Sequence, residues 1–210
     1  MIASVCHVYL VRHAQSAGNA LGIVQGHADF PLTSLGKSQA RERSQAFSKQ
    51  LFQDCYASDL LRTRQTAEIL SKPHRLQVKV TPLLREQNFG KFNGMEASRF
   101  EKEIDSLVAA HRQLPLEQRL QQRPHPEVES DQEMMRRILL VLRSVALSSL
   151  NKNVLIVSHG GIMRSLLVEL GYATFEQMAH TAISNCGYVQ IDCDGKSLTV
   201  RSAVDITLRT

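Results

Sequence analysis

Two apolar runs, each ending in a histidine, constrain the fold of this chain more than any other feature. Residues 5–11 read as a buried strand closed by Arg12-His13, and Val154-Leu155-Ile156-Val157 runs into Ser158-His159-Gly160-Gly161. A short continuous apolar run fits a strand covered on both faces, the usual state of a parallel sheet. Two strands that each deliver a histidine at the C-terminal end point to one site at one sheet edge, where ligands of open α/β sheets bind.

The segments between and beyond these runs alternate in type. Residues 35–51 have helical composition, with Thr33 or Ser34 as cap. Residues 54–58 read as a short strand and 60–70 as a helix ended by Pro73. Leu76, Val78 and Val80 alternate as a half-buried strand does. Residues 96–123 are polar and charged, with a helix expected before Pro115, and Pro124 and Pro126 break whatever precedes them. Ser130-x-x-Glu133 matches a capping box that opens a helix to about residue 149, with Ile138, Leu139, Leu142 and Val145 on its apolar face. A strand over 153–158, a helix over 162–170 and a hairpin of 187–192 with 198–204 around Asp194-Gly195 complete the chain. This alternation predicts an α/β fold with a mostly parallel central sheet. At 210 residues the chain is expected to be a single domain, 1–210. The stretch 92–128 interrupts the alternation and reads as an insertion over the sheet edge.

Composition narrows the partners. Lys plus Arg number 25 against 20 acidic residues, a formal charge of +5, which favours anionic ligands through the long-range field. The basic residues are scattered, Trp is absent and no aromatic-basic interleaving occurs, so nucleic acid is not an expected partner. No apolar run approaches the ~18 residues of a membrane span, and no basic segment precedes an apolar stretch as in a signal peptide. A soluble, cytoplasmic setting without a membrane partner is expected. Cys6, Cys55, Cys186 and Cys193 lack C-x-x-C or zinc spacing and read as reduced thiols of the core. An edge strand within 186–204 offers a surface for a homodimer.

The chemistry gathers after the strands. Arg12-His13-Ala14-Gln15-Ser16-Ala17-Gly18-Asn19 is followed by Gln25-Gly26-His27 and Asp29-x-Pro31-Leu32-Thr33. Short polar side chains and glycines at such a place supply N–H, hydroxyl and amide donors to an anion. Ser58-Asp59-Leu60-Leu61-Arg62-Thr63-Arg64-Gln65-Thr66-Ala67 places arginines in the first turn of a helix, and Arg62 and Arg64 cannot face the same way. Leu84-Arg85-Glu86-Gln87-Asn88-Phe89-Gly90 brings a carboxyl to the same edge.

These motifs, in this order and over nearly the whole chain, resemble the histidine phosphatase superfamily with its phosphoglycerate-mutase-like fold. The family's glycine after the first histidine is Ala14 here. The resemblance implies a three-layer α/β/α sandwich with a helical insertion over the active-site edge. It makes His13 the nucleophile that takes the phosphoryl group. It sets Arg12, Arg62 and His159 around the phosphoryl oxygens, with Asn19 and the N–H of Gly160 as further donors. Glu86 would protonate the leaving alcohol and then deprotonate the attacking water. Ser16, Gln25 and Gly26 complete the phosphate- or substrate-binding set. No metal and no cofactor is expected.

Two branches share such a site. The 73 residues from Glu86 to His159, the Leu84–Gly94 segment and Gly18, where mutases carry an aromatic residue, resemble the phosphatase branch acting on a small phosphorylated metabolite. A cofactor-dependent phosphoglycerate mutase is the alternative, and a catalytically idle phosphate-binding or interaction module is the alternative of another class. Within the insertion, Arg99, Lys102, His111, Arg112, Arg119 and Arg123 are candidates to meet a second anionic group. His7 is read as a satisfied structural residue and Arg64 as a structural or surface one. His27, His74, His111, His125 and His180 are read as surface residues.

Overall fold

The chain folds around a sheet whose first strand, β1 (Cys6–Arg12), is covered on both faces. The computed structural model describes residues 4–112 and 114–209, without side-chain detail at 105, 106, 108, 109, 112, 116, 119 and 120. After β1 come α1 (Ala17–Ala20), β2 (Ile23–Val24), α2 (Ser34–Ala46), β3 (Phe52–Ala57), α3 (Leu61–Ser71), β4 (Val78–Val80) and β5 (Met95–Glu96). They are followed by α4 (Ala97–Arg112), α5 (Leu116–Gln121), α6 (Asp131–Ser148), β6 (Asn153–Ser158), α7 (Gly160–Glu169), β7 (Ile183–Cys193) and β8 (Leu198–Ile206).

The six-stranded sheet has the order β4-β3-β6-β1-β7-β8. The first four strands run parallel, and β7 then pairs antiparallel with both β1 and β8. A two-residue pairing of β2 with β5 forms a second, small sheet.

Strand alternation builds the layers. Val8, Leu10, Val154 and Ile156 face the buried residues of α6 and α7, among them Ile138, Leu142, Ile162 and Leu166. Tyr9, Val11, Leu155 and Val157 face the other way, onto Ala67 and Leu70 of α3 and onto Phe47, which follows α2. The sheet is thus covered on both sides, as its apolar runs predict.

Most boundaries follow the sequence signals. Ser130 caps α6 with both halves of the expected box in place, its side chain accepting from Glu133 N while Glu133 accepts from Ser130 N. Three differences have identifiable causes. Helix α2 stops at Ala46 instead of reaching 51, because Phe47 turns into an aromatic cluster with Tyr9, Phe52 and Tyr188. Strand β7 begins at Ile183, earlier than predicted, and its register with β8 shifts between Ile183 and Tyr188, where Cys186 has φ +60°. Helix α7 starts at Gly160 rather than 162, so both glycines lie in its first turn.

The 92–128 stretch carries β5, α4 and α5. It has its own small core of Phe92, Ile104 and Val128, packed by Phe89, Met95 and Phe100. Among the described residues, no helix is long and apolar enough to cross a membrane.

Candidate active site

Strand register brings the two histidines together. β1 and β6 pair with Arg12 opposite Ser158, and His13 N then donates to Ser158 O at 3.0 Å. The next residue on each strand is a histidine, and the two rings meet edge to face with centroids 5.3 Å apart. Strand β3, on the other side of β6, delivers Ser58 to the same edge.

The tautomer of His13 follows from its partner. Nδ1 lies 2.8 Å from the carbonyl oxygen of Ala14. A carbonyl only accepts, so Nδ1 carries the proton and Nε2 holds the free lone pair. His159 is fixed the same way. Arg62 Nε donates to its Nδ1 at 3.3 Å, so its proton is on Nε2 and goes to Ser58 Oγ at 2.9 Å. Ser58 Oγ lies 2.6 Å from Thr63 Oγ1, which donates in turn to the Leu60 carbonyl.

Both rings are held uncharged. Burial, then Arg62 and Arg12, pushes His13 well below the ordinary histidine range; burial, then Arg62 and the neighbouring ring, does the same for His159. The unliganded geometry therefore gives His159 a neutral ring, and the fixed positive charge of the site comes from the two arginines.

These shifts set a pH dependence of stability. An unfolded histidine takes up a proton near pH 6.5 while the buried rings do not. Below that pH the unfolded state binds more protons, so stability falls as the pH drops through it. Each ring contributes a slope of up to about 1.4 kcal/mol per pH unit. Between pH 6.5 and 5 the wild-type Tm is expected to fall more steeply than that of the His13→Gln/His159→Gln double variant. Equal slopes would show that the rings titrate normally.

Arg62 is 1% exposed, and each of its three nitrogens has one partner within the chain. Besides His159, its Nη1 donates to Ala28 O at 2.9 Å and its Nη2 to Gly26 O at 2.7 Å. Burial lowers its pKa to about 10, so it stays charged at neutral pH with two of its five N–H groups uncommitted. Arg12 donates through Nη1 to Ile183 O. Its buried Nε has no partner, an open donor beside His13. Among the described residues no carboxylate forms an ion pair with either arginine. Arg62 is buried and Arg12 partly so, with Glu86 acting on both charges from beyond ion-pair distance; two such guanidinium groups with N–H donors to spare make a site suited to an anion.

Glu86 closes the opposite side. Its carboxylate accepts from Gly161 N (2.9 Å), Ile162 N (3.1 Å) and Gln87 N (3.0 Å). It thereby caps the start of α7, where backbone N–H groups are otherwise unpaired. The paired glycines make this approach feasible: a Cβ on Gly161 would lie 2.5 Å from Glu86 Oε1, and one on Gly160 would lie 3.1 Å from Arg12 Nε. Arg85 does not pair with Glu86; it holds Asp59 in a bidentate pair at 2.7 and 2.6 Å.

The remaining expected ligand groups are engaged within the chain. Ser16 is fully buried and caps α1 in a box with Asn19, and its hydroxyl also reaches Gln25 Oε1 at 2.7 Å. Asn19 accepts through Oδ1, which leaves its NH2 as the end able to donate to an anion. Gly26, at φ +48°, offers its carbonyl to Arg62, and a Cβ there would overlap the Asn93 amide.

The insertion's basic set divides. Arg99 pairs with Glu103, Arg123 with Glu133, and His111 with the Gln122 carbonyl, while Lys102 is exposed. The Arg112 and Arg119 side chains lie outside the described residues. Arg64 is exposed, and His7 pairs with Asp192 at 2.7 Å.

Of the five histidines read as surface residues, His180 is exposed, whereas His27, His74, His111 and His125 are half-buried, His125 edge-on against Phe92. His27 is half-buried with Nε2 donating to Glu86 O at 2.9 Å, and His74 packs edge-on against Phe52. Sequence reasoning also gave no role to Asn185, whose amide donates to the His13 carbonyl at 2.9 Å, or to the Arg137–Glu129 pair behind Glu86. Arg137 did carry a signal: it lies three residues from Met134 and four from Val141, on the buried face of α6.

Comparison with known proteins gives the family and the fold. The family profile of the histidine phosphatase superfamily (branch 1) matches residues 8–206. A Hydrogenobacter thermophilus protein provisionally named phosphoserine phosphatase 2 is 34% identical over 195 residues, 92% of each chain. A Serratia proteamaculans protein provisionally named phosphoglycerate mutase GpmB is 33% identical, covering 88% of this chain and 84% of its own. The crystal structure of a Bacillus anthracis phosphoglycerate mutase superposes with a TM-score of 0.83 over 97% of this chain and 94% of that one, at 21% identity, and so shows the shared fold. The chain belongs to branch 1 of the histidine phosphatase superfamily.

Proposed function

We propose that this protein is a metal-independent phosphomonoesterase that acts on a small phosphorylated metabolite through a phosphohistidine at His13. The observation that carries the reading is the state of His13: buried, neutral, protonated on Nδ1 by its bond to Ala14 O, with Nε2 free beside two arginines. That is the form of imidazole able to attack phosphorus.

In this reading Arg12 and Arg62, with Asn19 and the Gly160 N–H, hold the phosphoryl oxygens as charge shifts in the transition state. Nε2 attacks phosphorus and the P–O bond to the alcohol breaks. Glu86, acting as general acid, gives a proton to the departing oxygen. The same carboxylate then takes a proton from a water that attacks the phosphohistidine, returning free phosphate and the starting enzyme. Fixed arginine charge supplies what a metal supplies elsewhere, which supports metal independence. The four buried thiols support a reducing, cytoplasmic setting.

The test is steady-state hydrolysis of p-nitrophenyl phosphate and phosphoserine in EDTA, with an alkaline quench to trap phosphohistidine. Metal-independent phosphate release with label on the His13 peptide is expected. Isomerisation of 3-phosphoglycerate without phosphate release would favour the mutase, a reading kept by the likeness to the Serratia protein. Anion binding without turnover would favour an idle module.

A further inference from the structure

We infer that Arg137, locked to Glu129, is the positioning residue that aims the Glu86 carboxylate at the leaving group. The inference rests on the role proposed above for Glu86 and adds the part of the chain that fixes its geometry.

All five N–H groups of Arg137 are committed. Nε and Nη2 grip the Glu129 carboxylate at 2.7 and 2.8 Å. Nη2 also reaches Glu86 O at 2.9 Å, and Nη1 reaches Leu83 O at 2.9 Å and Arg85 O. One guanidinium therefore fastens three carbonyls of the loop that presents Glu86. Glu129 holds the far side of that loop. Its carboxylate accepts from Asn88 N at 3.0 Å, its N–H donates to Asn88 O at 2.8 Å, and its carbonyl accepts from the Gln87 amide at 2.7 Å.

The mount is rigid. Arg137 projects from a helix anchored by buried Met134, Ile138 and Val141, and catalytic groups are held best by elements of that kind. The Arg137–Glu129 pair is mostly buried, each side chain 15% exposed. Loss of the fork frees the loop while the carboxylate itself remains. A small misplacement of a proton-transfer group costs rate without altering its chemistry.

The experiment reads leaving-group dependence. Nitrophenolate departs without a proton and an alkoxide does not, so the kcat/KM ratio of an alkyl phosphate to p-nitrophenyl phosphate isolates proton donation. Phosphoserine serves as the alkyl ester. Glu86→Gln is expected to lower that ratio by about 100-fold, the lower end of general acid contributions. Arg137→Met is expected to lower it by about tenfold, and the Glu86→Gln/Arg137→Met double variant to fall no further than Glu86→Gln alone, since both act on one proton. Arg137→Lys, which brings a point charge in place of a fork, and Glu129→Gln are expected to fall between wild type and Arg137→Met. They carry the same test should Arg137→Met fail to fold by circular dichroism.

Equal losses on both esters in the Arg137 and Glu129 variants, with the ratio unchanged, would mean a merely structural role and overturn the inference. If Glu86→Gln itself leaves the ratio unchanged, the assignment of Glu86 fails and the inference falls with it. A ratio that moves in Glu86→Gln but not in Arg137→Met removes the inference alone.

Discussion

His13→Ala is expected to lose about 10⁴-fold or more in kcat on p-nitrophenyl phosphate, with no phosphohistidine trapped. Removing a nucleophile from a covalent mechanism costs on this scale because the remaining groups cannot form the intermediate. The fold should tolerate the change. The His13 backbone bonds to Ser158 O and from Asn185 do not involve the ring, and the single ring bond lost, to Ala14 O, is worth about 1 kcal/mol. Phosphate or vanadate binding should persist within about tenfold, because Arg12 and Arg62 keep their charge and charge-assisted bonds dominate anion recognition. Binding without turnover is the signature to measure, by titration calorimetry beside the rate assay. A loss of less than tenfold in kcat would exclude His13 as the nucleophile.

That result concerns a residue the sequence announces, and the reason is geometric. A histidine directly after a buried apolar run has only one place to go in a parallel sheet. The same logic points to His159 and Arg62, because each follows a strand whose pattern is legible, whereas Ser58, which closes the strand expected before Arg62, shows its place against His159 Nε2 only in the fold. Glu86 is harder. It follows the short strand β4 through a single turn of 3₁₀ helix over Pro82–Leu84, and its aim depends on long-range contacts that local pattern does not encode. Arg137 lies 51 residues downstream of the carbonyl it holds. His27 is similar: its pairing with the Glu86 carbonyl joins residues 59 apart, and nothing near it in sequence signals burial. The end of α2 at Ala46 illustrates the same limit at the level of the fold. Propensity would carry the helix onward, but Phe47 gains more by joining the rings under the sheet. Local signals thus place strands and the groups that ride on them, whereas the loops between strands take their shape from partners distant in sequence.

Arg62→Met is expected to lower kcat by about 10²- to 10³-fold, the scale on which one preorganised transition-state donor acts, and to move the acid limb of the pH–rate profile upward. The two effects have separate causes. The guanidinium fork is held by Gly26 O and Ala28 O, and that placement lets its remaining N–H groups meet a phosphoryl oxygen without reorganisation. Its charge acts independently by lowering the pKa of both His13 and His159. Without it, each ring accepts a proton at a higher pH, and protonated His13 cannot attack, so activity fails earlier on acidification. Stability also falls, because two carbonyls and His159 Nδ1 lose a donor, at about 1–3 kcal/mol for a buried group left unpaired. Relief from burying a charge offsets part of that cost. Arg62→Lys separates charge from shape. A lysine ammonium restores the charge and keeps the acid limb near the wild-type position, but it cannot bond two carbonyls, His159 and a phosphoryl oxygen at once, so kcat stays low. An acid limb unmoved in Arg62→Met would show that burial alone keeps the histidines neutral. Full recovery of kcat in Arg62→Lys would show that the site requires charge without the fork that the surrounding carbonyls are built to hold.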